Sequence, residues 1–281
     1  MYEGVRIGVV IPARNEEKHL PLVLATIPDY VDNVVVVDDG STDNTAACAQ
    51  GYDVVTLQGE GVGAAIDAGH RHLLTMFDDE FISVVMAGDG QMNPGDMPRL
   101  LSPIINKKAH YVKGERKDRA GKMPNLRRFG TVLLAFLTTL ACGQTIRDPQ
   151  CGYTATSSKV LESWNWDISW KGYGYPNWWL MRLSELGWMV THAPVEAIYD
   201  GQKSGLKVAS FLPKVSLMLL IGIHMRIIRN TAKNPSVILL LMWISYVMSW
   251  VYSPFAFIIT HLLDRIHVRP CLLYTSDAAD E

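Results

Sequence analysis

Val84-Val85-Met86-Ala87-Gly88-Asp89-Gly90-Gln91-Met92-Asn93-Pro94 decides how this chain is read. It opens as an apolar run of the kind a buried strand makes. It then breaks at glycines around one carboxylate and one amide, and a proline closes it. Open α/β sheets bind ligands at the carboxyl ends of their strands. Asp89 stands where such a ligand would be met.

Upstream of Asp89 the chain alternates strand and helix. Ile7 to Pro12 reads as a buried first strand, and Glu16 to Ile27 has helical spacing with Asn15 as its cap. Val34 to Val37, uniformly β-branched, suits a strand covered on both faces. Asp38 to Asp43 makes a polar turn into a helix from Asn44. Asp53 to Leu57 is a third strand, Gly59 to Ala65 opens a helix toward Leu74, and Phe81 to Met86 is the fourth strand. Beyond Pro94 the pattern predicts a helix from Asp96 to Asn106, a strand at Tyr111 to Gly114 and a charged loop over 115–128. An apolar helix from Phe129 to Ala141, a turn and short strand over Ile146 to Thr154, a Trp-rich loop and helix over 164–179 and a late strand from Met189 to Val195 follow. This pace defines the class as α/β, a doubly wound, mostly parallel central sheet with helices on both faces.

The formal charge of -2 is segregated: between Lys113 and Arg128 seven basic residues face two acidic ones. Four cysteines without metal-like spacing give no disulfide framework, which points to a reducing compartment. No signal-peptide pattern precedes Ile7. His70 and His72, two apart on a predicted helix, point in different directions and make a poor metal pair. No serine–histidine–acid set, zinc spacing or nucleic-acid signature is visible, so no nucleic acid is expected as a partner.

After residue 207 the chain changes character. Val208 to Arg229 is apolar with Lys214, Arg226 and Arg229, as in a helix lying in a membrane interface, and residues 208–232 are read so. Pro235 to Leu263 holds no Asp, Glu, Lys or Arg over 29 positions, more than the ~20 a crossing needs. Residues 233–265 are therefore expected to span a membrane, with Pro254 either kinking one long helix or opening a second span. Basic residues from 226 to 233 place the preceding domain on the cytoplasmic side, although Arg265 and Arg269 add charge at the other end. Cys271 to Glu281 resembles a translated sequencing adapter, and 271–281 is set aside as a non-native tail, with the natural chain expected to be cut near Pro270.

Four stretches occur in order: Ile11-Pro12-Ala13-Arg14-Asn15-Glu16, Asp38-Asp39-Gly40-Ser41-Thr42-Asp43-Asn44-Thr45, Gly61-Val62-Gly63-Ala64-Ala65 and Gly88-Asp89-Gly90-Gln91. Their spacing resembles family 2 glycosyltransferases of the GT-A fold. Arg147-Asp148-Pro149-Gln150-Cys151-Gly152-Tyr153 is similar to a turn in the branch of dolichyl-phosphate mannose synthases and polyprenyl-phosphate glycosyltransferases. The resemblance covers roughly residues 5 to 207 and implies a GT-A nucleotide-diphospho-sugar transferase domain over 1–207, with a C-terminal membrane helix after it.

It implies roles as well. Pro12, Arg14 and Glu16 would line the base and ribose, and Asp39 would accept a hydrogen bond from the base. Gly61 and Gly63 would let backbone approach the nucleotide at a helix start, and Gly88 lies beside the same ligand. Asp89, with Gln91, would hold a divalent metal (Mg or Mn) that neutralises a departing diphosphate. Ala87 stands where the family has the first aspartate of an Asp-x-Asp pair, which leaves metal dependence open. Arg116 falls at a phosphate-facing position. Arg127 and Arg128, with Thr131, either clamp a lipid phosphate or form a solvated basic surface drawn to anionic headgroups. Either Lys203 or Lys207 would reach the acceptor. Asp148 would be a general base toward a hydroxyl acceptor; a phosphate monoester is already anionic, so toward it Asp148 would only orient. Trp164, Trp166, Trp170, Trp178 and Trp179 would stack on sugar, sit at a membrane interface or pack in the core.

The implied activity is inverting transfer of a sugar from a nucleotide-diphosphate sugar to a polyprenyl phosphate at the cytoplasmic face of the cell membrane. Transfer to a sugar hydroxyl in cell-envelope polysaccharide synthesis, or an inactive nucleotide-sugar-binding scaffold, are the alternatives.

Overall fold

The computed structural model describes residues 1–117, 125–196, 198, 208–238 and 240–254, those at 125–129 and 208–210 by backbone alone. Four parallel strands, β1 (Arg6–Ala13), β2 (Asn33–Asp39), β3 (Asp53–Leu57) and β4 (Phe81–Val85), lie in the order β3-β2-β1-β4. Their valines and isoleucines alternate between two cores. Ile7, Val9, Ile11, Val34 and Val36 face one side, while Val10, Val35, Val37 and Val85 face the other. Each such fully buried side chain contributes roughly 1.5–3 kcal/mol.

Three more strands extend the sheet: β5 (Tyr111–Arg116), β6 (Thr154–Ser157) and β7 (Val190–Val195), giving β3-β2-β1-β4-β6-β5-β7. β6 runs antiparallel to both β4 and β5, and β7 is parallel to β5. β4 and β5 therefore point the same way. In register, Thr154 of β6 lies opposite both Val85 and Lys113. The chain leaving β4, the chain leaving β5 and the turn entering β6 consequently share one edge with the ends of β1 and β2.

The helices are α1 (Leu20–Ala25), α2 (Thr45–Cys48), α3 (Val62–Met76), α4 (Met97–Ile105), α5 (Asn125–Cys142), α6 (Ser158–Glu162), α7 (Tyr175–Glu185) and α8 (Val208–Lys233). α3 packs close to the sheet because Gly69 has no side chain. A Cβ there would lie 2.2 Å from Val10 Cγ1. Trp179, wholly buried, stacks on Trp164 at 3.9 Å between ring centres, and His70 lies 5.4 Å away. That pair is core packing, not a sugar platform.

Several boundaries differ from the sequence expectation. The helix expected over Glu16 to Ile27 shrinks to Leu20–Ala25, and Asn15 does not cap it. Asn15 sits at φ 56 and its Oδ1 instead accepts from the Thr42 N–H at 2.8 Å. β5 runs on to Arg116, α5 begins at Asn125 inside the expected loop, and β6 starts only at Thr154. Local periodicity in these stretches loses to contacts between strand ends.

Residues 1–226 form one compact unit and 227–281 a second. Within the first, α8 packs on α5 through Ala141, Val215 and Leu219. α8 is one continuous helix, and its Phe211–Lys233 stretch is long and apolar enough to cross a membrane. Residues 237–238 and 240–254 are also helical. The rest of the expected 233–265 crossing and the 271–281 tail fall outside the described residues.

Candidate active site

Short polar side chains at the ends of β1 and β2 lace the turns together. Asp38 accepts from the Ser41 N–H at 3.1 Å and from its hydroxyl. Asp39, 5% exposed, accepts from the Glu60 N–H at 2.7 Å through Oδ1 and from the Gly61 N–H at 2.9 Å through Oδ2. The Arg14 guanidinium stands 3.8 Å from Oδ2. Glu16 donates its N–H to Thr45 Oγ1 at 2.8 Å, and its carboxylate lies 2.7 Å from His19 Nδ1. Pro12, Arg14, Glu16, Asp39 and Gly61 are thus gathered at one corner of the sheet edge.

The glycine turn does something the sequence did not predict. Gly61 takes φ 105, and a Cβ there would come within 2.6 Å of the Lys171 carbonyl oxygen. At Gly63 a Cβ would lie 2.1 Å from the Trp170 carbonyl oxygen. The Lys171 carbonyl accepts from Gly63 N–H at 2.8 Å and Ala64 N–H at 3.3 Å, and Lys171 Nζ pairs with Glu60 at 3.2 Å. The close approach that these glycines permit is therefore made by the chain's own 170–171 backbone. Contacts as far apart in sequence as Glu60 and Lys171 leave no local signal, and this strap was not legible in the sequence.

Pairing with β1 continues past the end of β4. Met86 N–H donates to Val10 O at 3.0 Å and Gly88 N–H to Pro12 O at 3.1 Å. Asp89 therefore emerges level with Ala13 and Arg14. Gly90, at φ 74, turns the chain back, and Asp89 Oδ1 accepts from the Gln91 N–H at 3.0 Å. Partial burial raises the Asp89 carboxyl above its ordinary pKa, with the Gln91 N–H and the nearby His19 pulling it back down. A carboxylate lifted by desolvation gains from a cation beside it. One carboxylate and one amide suit Mg²⁺, which keeps waters and takes phosphate oxygens as ligands. Among the described residues no three His, Cys, Asp or Glu side chains form a self-sufficient metal site, so a cation here would need the substrate's own oxygens.

Across the same edge, Arg116 and Asp148 hold each other. Asp148 is fully buried and accepts from Arg116 Nε at 2.8 Å, Nη2 at 3.1 Å and the backbone N–H at 3.3 Å. The guanidinium engages both carboxylate oxygens, so Asp148 fixes the direction in which Arg116 points. Lys113, three residues earlier, is wholly buried, and its Nζ has no hydrogen-bond partner among the described residues. Burial lowers its pKa to about 8, opposed by Cys151 and assisted by Arg116. In a strand that also carries Glu115 and Arg116, nothing in the sequence marked this lysine as buried. Arg127 and Arg128 lie in the first turn of α5, where only the backbone is described, and Lys203 and Lys207 lie outside the described residues.

Residues 8–164 match the family described as Glycosyl transferase family 2. The chain is 29% identical over 217 residues to the UDP-N-acetylglucosamine–dolichyl-phosphate N-acetylglucosaminyltransferase of Methanococcus voltae, covering 69% of this chain and 86% of that one. It is 31% identical over 205 residues to the undecaprenyl-phosphate mannosyltransferase of Micrococcus luteus, covering 68% and 83%. Among solved structures it is similar to the glucosyl-3-phosphoglycerate synthase of Mycobacterium tuberculosis bound to UDP. That match has a TM-score of 0.61 at 25% identity and covers 79% of this chain and 81% of that one. The same synthase has been crystallised with Mg²⁺ and UDP. The chain belongs to glycosyltransferase family 2 and has the GT-A fold. It is a transferase enzyme, and its Methanococcus and Micrococcus relatives place it with the polyprenyl-phosphate branch of that family.

Proposed function

We propose that this enzyme moves a sugar from a nucleotide-diphosphate sugar to a polyprenyl phosphate at the cytoplasmic face of the cell membrane, with inversion at the anomeric carbon. The observation that carries this reading is the shared edge: Thr154 sits between Val85 and Lys113, so Asp89, Arg116 and Asp148 leave the sheet side by side.

The Arg14–Asp39–Gly61 corner would receive the nucleoside, with Pro12 and Glu16 beside it and Gly63 and Gly88 holding the turns close. Asp89 and Gln91 would hold a divalent cation, Mg²⁺ or Mn²⁺, which when bound supplies Lewis-acid neutralisation of the diphosphate leaving group. Arg116, aimed by Asp148, would meet a phosphate with the remainder of its guanidinium. Arg127 and Arg128 lie at a helix start, where backbone N–H groups also favour anions. Lys203 or Lys207 would add a further contact to the acceptor. A phosphate oxygen attacks the anomeric carbon as the bond to the diphosphate breaks. The acceptor's second pKa is about 6, so no side chain has to remove its proton.

The membrane part rests on two packed helices. α5 exposes Val132, Leu133, Phe136 and Leu140, and within the first unit α8 exposes Leu212, Leu217, Leu220, Ile221 and Met225. An apolar surface of this kind fits a lipid interface, and the basic residues from 226 to 233 fit a cytoplasmic catalytic unit.

The test is a screen of labelled nucleotide sugars with extracted polyprenyl phosphate and Mg²⁺, scoring radiolabel that enters the organic phase. Asp148→Asn then separates acceptor classes: phosphate transfer should fall about tenfold or less, whereas hydroxyl transfer needing a base should fall by roughly 10²–10⁴. Nucleotide binding without transfer to any acceptor would return the reading to a scaffold, which Ala87 motivates.

A further inference from the structure

Among the described residues Lys113 is the one lysine or arginine that the fold buries completely, and its Nζ has no hydrogen-bond partner. Burying an ammonium in this way is costly. An apolar side chain of similar volume would fill the same space without that cost. Packing alone therefore does not account for an amine here.

The sheet fixes where the lysine stands. In register, Val85 of β4, Thr154 of β6, Lys113 of β5 and His192 of β7 form one row, with their side chains on one face. Val85 is the last residue of β4, so this row is the last rung before the chain leaves toward Asp89. Cys151 and Arg116 are the groups whose charge acts on the Lys113 amine, which puts it near Arg116 and the 147–153 turn. The row and its neighbours are rich in donors. His192 is neutral near pH 7: burial lowers its pKa to about 4, opposed by Glu115 and assisted by Lys113 and Arg147. Glu115 is paired with Arg147 at 3.1 Å, and Asp148 with Arg116 at 2.8 Å. Thr154 Oγ1 is buried near the Tyr111 hydroxyl without completing a hydrogen bond.

We propose that Lys113 is a phosphate-binding residue at the floor of the crevice, its amine turning onto a substrate oxyanion while Thr154 lends a hydroxyl beside it. The flexible stem lets the charged head move out of the core. The oxyanion then supplies the negative charge that the row lacks, in a charge-assisted bond. The phosphate belongs either to the lipid acceptor or to the donor's diphosphate. The inference rests on the reading above that both substrates reach this edge.

The experiment uses the full chain in detergent, with inorganic phosphate, UDP and polyprenyl phosphate as probes. Phosphate should raise the wild-type Tm by at least about 2 °C over chloride at matched ionic strength. Lys113→Met and Lys113→Gln should each lose that shift, and Lys113→Met should melt no lower than wild type without phosphate. A UDP titration and the lipid KM, taken with the donor found by the screen, then name the source. A UDP Kd raised about tenfold with the lipid KM unchanged assigns the donor's diphosphate, and the reverse assigns the acceptor's phosphate. A phosphate shift kept in either folded variant overturns the proposal, as does a wild type that phosphate does not stabilise. Loss of the shift with both substrates bound as in wild type also overturns it, because the phosphate is then adventitious. If neither variant folds, the amine belongs to the core and the proposal fails. A wild type that transfers no label to lipid removes the reading of the acceptor, while the phosphate and UDP measurements still decide whether Lys113 binds an anion.

Discussion

The two sides of the binding edge are built from different materials. Around Asp39 the contacts are carboxylate to backbone: the Glu60 and Gly61 N–H groups fill both oxygens, and Asp38 closes its own turn onto Ser41. Around Arg116 the contacts are charge to charge across 32 residues of sequence, and the buried Lys113 Nζ three positions away has no hydrogen-bond partner among the described residues. The first arrangement is stable without a ligand. The second buries a lysine, and a buried cation is costly unless an anion lies beside it. Under the proposed function, a preset corner at Asp39 would receive the donor and the cationic side at Arg116 would meet the anionic acceptor.

The largest way to break that contrast is to remove the group between the two sides. Asp89→Ala should cut transfer by roughly 10²–10³-fold, the scale of losing one charge-stabilising group. Nucleoside binding at the Asp39 corner should survive largely intact, because none of the contacts around Asp39 involves residue 89. Initial rates of organic-phase labelling and a UDP titration read the two effects separately. Transfer within tenfold of wild type would mean that the leaving group is neutralised elsewhere.

The contrast also explains what the sequence disclosed. β1 to β4 were legible because each is a short apolar run ending in turn residues, and the candidate donor side chains follow those runs directly. Asp89 was legible for the same reason. The Arg116–Asp148 pair was not: the two residues were placed separately, one toward phosphate and one as a possible base, and no local pattern states that a strand end and a turn 32 residues later will meet. The strap from Ser169 to Gly172 was hidden in the same way, since Gly63 reads identically whether a ligand or a distant carbonyl fills the space. Lys113 passed as an ordinary strand residue because burial depends on which helices cover the sheet.

That strap is jointed to the Asp39 side through Gly63, and Gly63→Ala tests the joint. The added Cβ would sit 2.1 Å from the Trp170 carbonyl oxygen, a backbone atom that cannot swing aside. Overpacking of this kind costs about 1–3 kcal/mol, or about 2–10 °C in Tm for a domain of this size. Nucleotide affinity should fall with it, because the displaced strap pairs with Glu60, whose N–H Asp39 grips. Thermal unfolding with and without UDP measures both, and a weakened Tm with full UDP affinity would show that the strap does not shape the corner around Asp39.

The finest test of the same joint is a proton. Asp67 on α3 is buried beside Ser169 and Trp179, and burial raises its pKa to about 7, against the opposing pull of Ser169, Trp179, Arg71 and Lys171. Its Oδ1 has no hydrogen-bond partner among the described residues. A carboxyl whose folded pKa is raised binds its proton more tightly when folded. The stability that this gives is full below the unfolded carboxylate range and drains away as the pH climbs toward 7. Asp67→Asn removes the titration while keeping the shape. The variant should match wild type near pH 3, below the unfolded carboxylate range, and exceed it at pH 8 by up to about 4 kcal/mol, the upper bound set by the shift. Denaturant titrations of both proteins across that interval give the difference directly. A gap that stays constant with pH would mean that the carboxyl is ionised throughout, compensated by Lys171 or Arg71, and that the strap rests on α3 through backbone contacts alone.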